Sequence, residues 1–144
     1  MLTVAAVMQA PALAQSDEEK PYVIAEDGTV DWYTFSGFRR YHAECHVCHG
    51  PDGLGSSFAP SLVETLKAVS YEDFFEVVVN GRENVSASAD KVMPAFGMNK
   101  NVMCFLDDIY AYLKARSDGV LARGRPKNEP KPDEAREHED ACMQ

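Results

Sequence analysis

The stretch YHAECHVCHGPDG, residues 41–53, constrains this chain more than any other. Cys45 and Cys48 are separated by two residues, and His49 follows at once. Two thiols about one helical turn apart share a face, and the adjoining imidazole adds a third metal-binding group. Three chemistries use such a cluster: a zinc clip, a redox dithiol and the covalent attachment of haem. Each asks something different of the remaining chain.

Zinc needs four ligands, often as two pairs at similar spacings. Cys104 or Cys142 can complete the number, but neither belongs to a matching knuckle. Adjacent Cys48 and His49 at a helix end also point in different directions. A thioredoxin-like dithiol needs a βαβ setting, and no parallel-strand pattern flanks this motif. The haem reading uses every residue, because C-x-x-C-H is the c-type attachment sequence. Cys45 and Cys48 reach the vinyl groups along one porphyrin edge, and His49 becomes the proximal iron ligand. His46 and Val47 are spacers, with His46 expected to be exposed. One motif implies one covalently bound haem c.

The stretch VMPAFG supplies a candidate for the opposite face. Met93 is expected in a loop directly before Pro94, which holds the preceding backbone extended. A thioether is a soft ligand that favours Fe(II) and raises the reduction potential. Pro94 and Phe96 stiffen that loop and dry the haem face. Met98 and Met103 are alternatives, the latter poorer because it is expected on the last helix. Ligation on both faces leaves no open position for a substrate, so an electron carrier is favoured over an enzyme. A haem enzyme or sensor with a displaceable distal ligand, and a dehydrogenase subunit that holds haem only structurally, are the competing readings.

The 144 residues suit one domain, and 45% apolar residues suffice for one core. Net charge is −9, which argues against nucleic acid and anionic membranes as partners. No run of about 18 apolar residues exists, so no membrane span is expected. The opening MLTVAAVMQAPALAQ is small and apolar, and Ala12-Leu13-Ala14 has the form of a signal-peptidase site. No Lys or Arg precedes Lys20. Residues 1–14 are nonetheless expected to be a secretory signal, which places the mature chain in the periplasm.

An N-terminal extension is expected over 15–36, with a short type I′ hairpin at Asp27-Gly28. Trp32, Phe35, Phe38, Tyr41 and Cys45 predict a helix from about 31 to 48. A Gly- and Pro-rich loop follows, then a short helix over 62–68. A helix capped by Ser70 is expected to end at Asn80-Gly81. Residues 82–100 read as loop. The last strong helix is expected from Asn101 to Gly119. The charged, proline-rich remainder has the composition of a disordered tail.

These residues resemble a class I cytochrome c. That family has a glycine and an aromatic eight and four residues before its first haem cysteine, matched by Gly37 and Tyr41. The resemblance implies close crossing of Gly37 with the C-terminal helix, where Ile109, Tyr112, Leu113 and Lys114 fit the family pattern. It implies that the Pro60 carbonyl receives the Nδ1 proton of His49. It further implies an all-α fold wrapped around one haem, with the cytochrome core over 37–118. More finely, RRYHAECHVCHGPDGLGSSFAPSL, VMPAF, NKNVMCFLDDIYAYLKARSDG and ARGRPKNEP resemble four-cysteine cytochromes of bacterial methanol metabolism. That likeness implies a PQQ-dependent methanol or alcohol dehydrogenase, some of them lanthanide-dependent, as electron donor. A downstream cytochrome or oxidase would be the acceptor. Docking would use the exposed haem edge near Phe58 and Pro94, beside the insert NVSASADK.

Cys104 and Cys142 stand outside the haem motif, and the cysteine count is part of that likeness. In an oxidising compartment the two are expected to pair and tie residues 119–144 back over the domain. Two free thiols are the alternative.

Overall fold

The computed structural model describes residues 19–86 and 89–144, and no side chain from 84 to 90 is placed. The expected signal segment, residues 1–14, lies outside the described residues. Helices dominate: α1 (Trp32–Glu44), α2 (His46–His49), α3 (Leu62–Thr65), α4 (Tyr71–Asn80), α5 (Lys100–Met103), α6 (Leu106–Ser117) and α7 (Asp133–Met143). Strands β1 (Arg82–Ser86) and β2 (Ala89–Met93) pair antiparallel. No described helix is long and apolar enough to cross a membrane.

α1 begins where Asp31 accepts the Thr34 amide at 3.0 Å, a side-chain N-cap. Its apolar face carries Phe35 and Tyr41, both buried, against Ile109, Tyr112 and Leu113 of α6. The rings of Tyr41 and Tyr112 lie 5.6 Å apart. Gly37 permits this crossing, because a Cβ there would sit 1.8 Å from the Asp108 carbonyl oxygen. The single helix expected over 31–48 is in fact two, broken at Cys45.

Three other expectations are corrected. The hairpin at Asp27-Gly28 forms, with one bridge between Ile24 and Val30. It is not type I′, since Asp27 lacks positive φ. The Gly28 amide donates to the Ala25 carbonyl and the Ala25 amide to the Thr29 carbonyl. That pattern belongs to a three-residue loop whose left-handed glycine forms a bulge. The stretch expected as a second loop holds the β1–β2 ribbon, with Arg82 opposite Met93. Val85 and Val92 are its only large apolar residues before Met93, so backbone pairing defines it where an apolar pattern does not. Finally, the helix expected from Asn101 is interrupted at Cys104 and Phe105. Asn99 caps the short α5, and α6 starts anew at Leu106.

The tail departs furthest from its composition. Cys104 and Cys142 are disulfide-bonded across 38 residues. Between them the Val30 amide donates to the Lys127 carbonyl and the Glu129 amide to the Val30 carbonyl, both at 2.9 Å. Arg40 on α1 pairs with Glu139 at 3.2 Å and stacks 3.7 Å over the Phe105 ring. His138 Nε2 donates to the Cys104 carbonyl at 2.8 Å. Charge pairs, backbone pairing and one covalent tie order a segment with little to bury. Cys142→Ser is expected to cost up to ~4 kcal/mol, the chain-entropy value for such a loop. Limited proteolysis of the variant should cut within α7, while the parent stays intact.

Candidate haem site

The Cys48 and His49 amides both bond the Cys45 carbonyl, at 3.2 and 3.0 Å. The motif is therefore one tight turn at the foot of α1. The Tyr41 hydroxyl donates to the Gly50 carbonyl at 2.5 Å and fixes its exit. The following loop is cinched closed. The Gly55 amide donates to the His49 carbonyl at 2.7 Å, the Ser56 hydroxyl to the Cys48 carbonyl, and the Ser61 hydroxyl to the Gly53 carbonyl. Gly55 has φ +84°, and a Cβ on it would meet the Ser61 nitrogen at 2.6 Å.

So tight a loop brings the Pro60 carbonyl 3.0 Å from His49 Nδ1. A carbonyl only accepts, so Nδ1 holds the proton and Nε2 keeps a free lone pair. That is the tautomer a metal-ligating histidine needs, with its ring oriented from behind. His49 is 7% exposed.

A cavity of about 1120 Å³ is lined by Cys45, Cys48, His49, Pro60 and Met93. Leu62, Phe74, Val78, Phe96, Ile109 and Leu113 make much of its wall apolar. Met93 is the last residue of β2 instead of lying in a loop. Just beyond it, the Phe96 and Gly97 amides donate to the Val78 and Val79 carbonyls at 2.9 and 3.1 Å, tying the segment to α4. Met98 is 97% exposed. Met103 lies on α5 and is not part of the cavity wall. Of the three methionines, Met93 alone faces the cavity.

Burial pushes the Cys45 thiol up to about 12, with Glu44 and Cys48 adding to the effect. A thiol so reluctant to ionise is a poor redox nucleophile. The described residues include no group of three or more His, Cys, Asp and Glu able to hold a metal ion. A thiol pair, an imidazole with a free lone pair, a thioether and apolar walls fit a haem. His46 is half-buried and not exposed as expected. Its ring lies 5.8 Å from that of His42, and it is not part of the cavity wall.

Sequence reasoning missed a buried polar centre beside the motif. Asp52, read as part of a turn, is 6% exposed with φ +58°. Its carboxylate accepts the Arg123 guanidinium at 3.1 Å and the Gly124 amide at 3.0 Å. The buried Arg116 donates to the Asp52 carbonyl at 3.3 Å. His42 borders this centre: its Nδ1 donates to the Phe38 carbonyl, its Nε2 accepts the Asp52 amide at 3.2 Å, and the same Nε2 lies 3.9 Å from the Asp52 carboxylate. Burial raises the Asp52 carboxyl, but the Gly124 amide and the Arg123 and Arg116 guanidiniums outweigh it and hold it below the usual range. A depressed carboxylate stabilises the fold above its unfolded value of about 3.9 and loses that contribution as pH falls through the folded value. Asp52→Asn should therefore cost about 1–3 kcal/mol at neutral pH. Urea midpoints of variant and parent should converge in acid. The available signal was one carboxylate in GPDG and the Arg123-Gly124 pair in ARGR.

Comparison with known proteins places this site in a family. Residues 35–113, more than half the chain, match the model described as cytochrome C oxidase, cbb3-type, subunit III. The chain is 59% identical over 123 residues to cytochrome c-553I of Paracoccus denitrificans, covering 85% of itself and 54% of that protein. It thus spans about half the length of that relative. It is 42% identical over 96 residues to cytochrome c-555 of Methylococcus capsulatus (strain ATCC 33009 / NCIMB 11132 / Bath), covering 66% of itself and 72% of that protein. The crystal structure of the c-type cytochrome XoxG from Methylobacterium extorquens AM1 superposes with TM-score 0.71 at 45% identity, over 88% of this chain and 84% of that one. The cavity, its thiol pair and these relatives agree, and the chain belongs to the c-type cytochromes, within the cbb3-type subunit III family, whose cofactor is covalently bound haem c.

Proposed function

We propose that this chain is a periplasmic one-electron carrier. A PQQ-dependent methanol or alcohol dehydrogenase reduces it, and a downstream cytochrome or oxidase reoxidises it. Cys45 and Cys48 form the thioethers, His49 Nε2 is the proximal ligand, and the Pro60 carbonyl holds its other nitrogen. The Met93 thioether is the distal ligand. Residues 37–118 act as the carrier core, with 15–36 and 119–144 wrapped on it.

One observation carries the reading: His49 and Met93 line the same apolar cavity as the two thiols. When bound, the haem iron supplies the one-electron couple. The protein's part would be to hold His49 and Met93 in fixed positions, so that ligation would change little with oxidation state. Its apolar walls exclude water and disfavour added charge at the centre. Two protein ligands leave no position for a substrate.

Val47, Phe58 and Val92 line the cavity and are 77, 71 and 63% exposed. An apolar rim of this kind suits brief docking of a redox partner. The choice of donor is supported by the stretches resembling cytochromes of methanol metabolism and by the likeness to XoxG.

Stopped-flow mixing of ferric protein with a purified PQQ methanol dehydrogenase and methanol tests the proposal. Reduction should follow, at a rate that depends on dehydrogenase concentration. If the dehydrogenase reduces an artificial dye but leaves this protein ferric, the donor assignment fails.

A further inference from the structure

The cavity lining holds two cations, Arg82 and Lys91, and both belong to the β1–β2 ribbon. Arg82 stands directly opposite Met93, and Lys91 is two residues before it. Cross-strand partners share a face of a ribbon, as do alternate residues along a strand. One face therefore presents the thioether and both positive charges. Lys91 Nζ also donates to the Ser57 carbonyl at 3.3 Å. Ser57 belongs to the loop that carries Pro60, so the lysine spans from the Met93 ribbon to the His49 side across the cavity mouth. Both cations are exposed, which places them at the rim.

Elsewhere the charged lining is negative: Glu44, Asp73 and Glu76. Haem brings two carboxylates of its own, and these would be repelled there. We infer that Arg82 and Lys91 form the site for the haem carboxylates, orienting the ring edge and setting part of the potential. The inference rests on the proposed seating of the haem between His49 and Met93. A cation beside these carboxylates disfavours the extra positive charge of ferric iron, so it holds the potential up.

The test is redox titration of the holoprotein with Arg82→Gln, Lys91→Gln and the double variant. Each single change should lower the potential, and the double change should lower it further. Arg82→Lys and Lys91→Arg should restore most of the loss. Arg136→Gln on α7, outside the cavity, removes the same charge and should leave the potential in place. Redox-difference infrared spectra should show the haem carboxylate bands moving in the Gln variants only. Equal potentials in the parent, Arg82→Gln and Lys91→Gln would overturn the inference, as would a shift matched by Arg136→Gln. The sulfur-to-iron charge-transfer band separates this failure from that of the site. If the band persists in every variant, the Met93 assignment stands whatever the potentials do. If it is missing from the parent, both fall.

Discussion

Gly37→Ala is expected to destroy most of the folded holoprotein. The added Cβ would lie 1.8 Å from the Asp108 carbonyl oxygen, 2.4 Å from its carbon and 2.9 Å from Tyr112 Cβ. The nearest two are backbone atoms of α6 and have no rotamer to yield. α1 and α6 must move apart, which loosens Tyr41, Tyr112, Ile109 and Leu113, all nearly unexposed. Ile109 and Leu113 also line the haem cavity, so the damage reaches the site. Overpacking of a close crossing costs ~3 kcal/mol or more. The yield of covalent haem protein and the urea midpoint should both fall. Gly119→Ala is the control. That glycine has φ +74° with nothing within 4 Å, so the substitution should cost only about 1–2 kcal/mol.

Met93→Ala should have the largest effect on the centre. Loss of the thioether opens the iron, so the reduced variant should bind carbon monoxide and its potential should fall. Met98→Ala should change neither property, because Met98 is 97% exposed. The two spectra under carbon monoxide, side by side with the parent, decide the matter. If Met93→Ala keeps a low-spin sulfur-ligated spectrum while Met98→Ala loses it, Met98 and not Met93 is the sulfur ligand.

Cys45, Cys48 and His49 stand out in the sequence because their spacing is local, and the structure gathers all three on one cavity wall. Ser70 caps its helix as its side chain leads one to expect, and the helix expected from about residue 31 starts there, capped by Asp31. What stayed hidden depends on partners distant in sequence. The β1–β2 ribbon has too few apolar residues to show alternation, and only its pairing makes it a strand pair. The tail reads as disordered because it buries little. Its order comes from Val30, Arg40 and Cys104, which lie far upstream. Asp52 looked like a turn residue because its ligands, Arg123 and Gly124, come 71 and 72 positions later. The breaks at Cys45 and at Cys104–Phe105 interrupt otherwise continuous apolar stripes, and periodicity alone joins such stripes into one helix.

Exposure of the dithionite-reduced parent protein to carbon monoxide tests most directly whether this is a carrier closed on both faces. With His49 and Met93 both on the iron, the visible spectrum should not change over the minutes in which Met93→Ala converts fully. Rapid formation of a carbon monoxide adduct by the parent would contradict the closed centre and favour a haem enzyme or sensor.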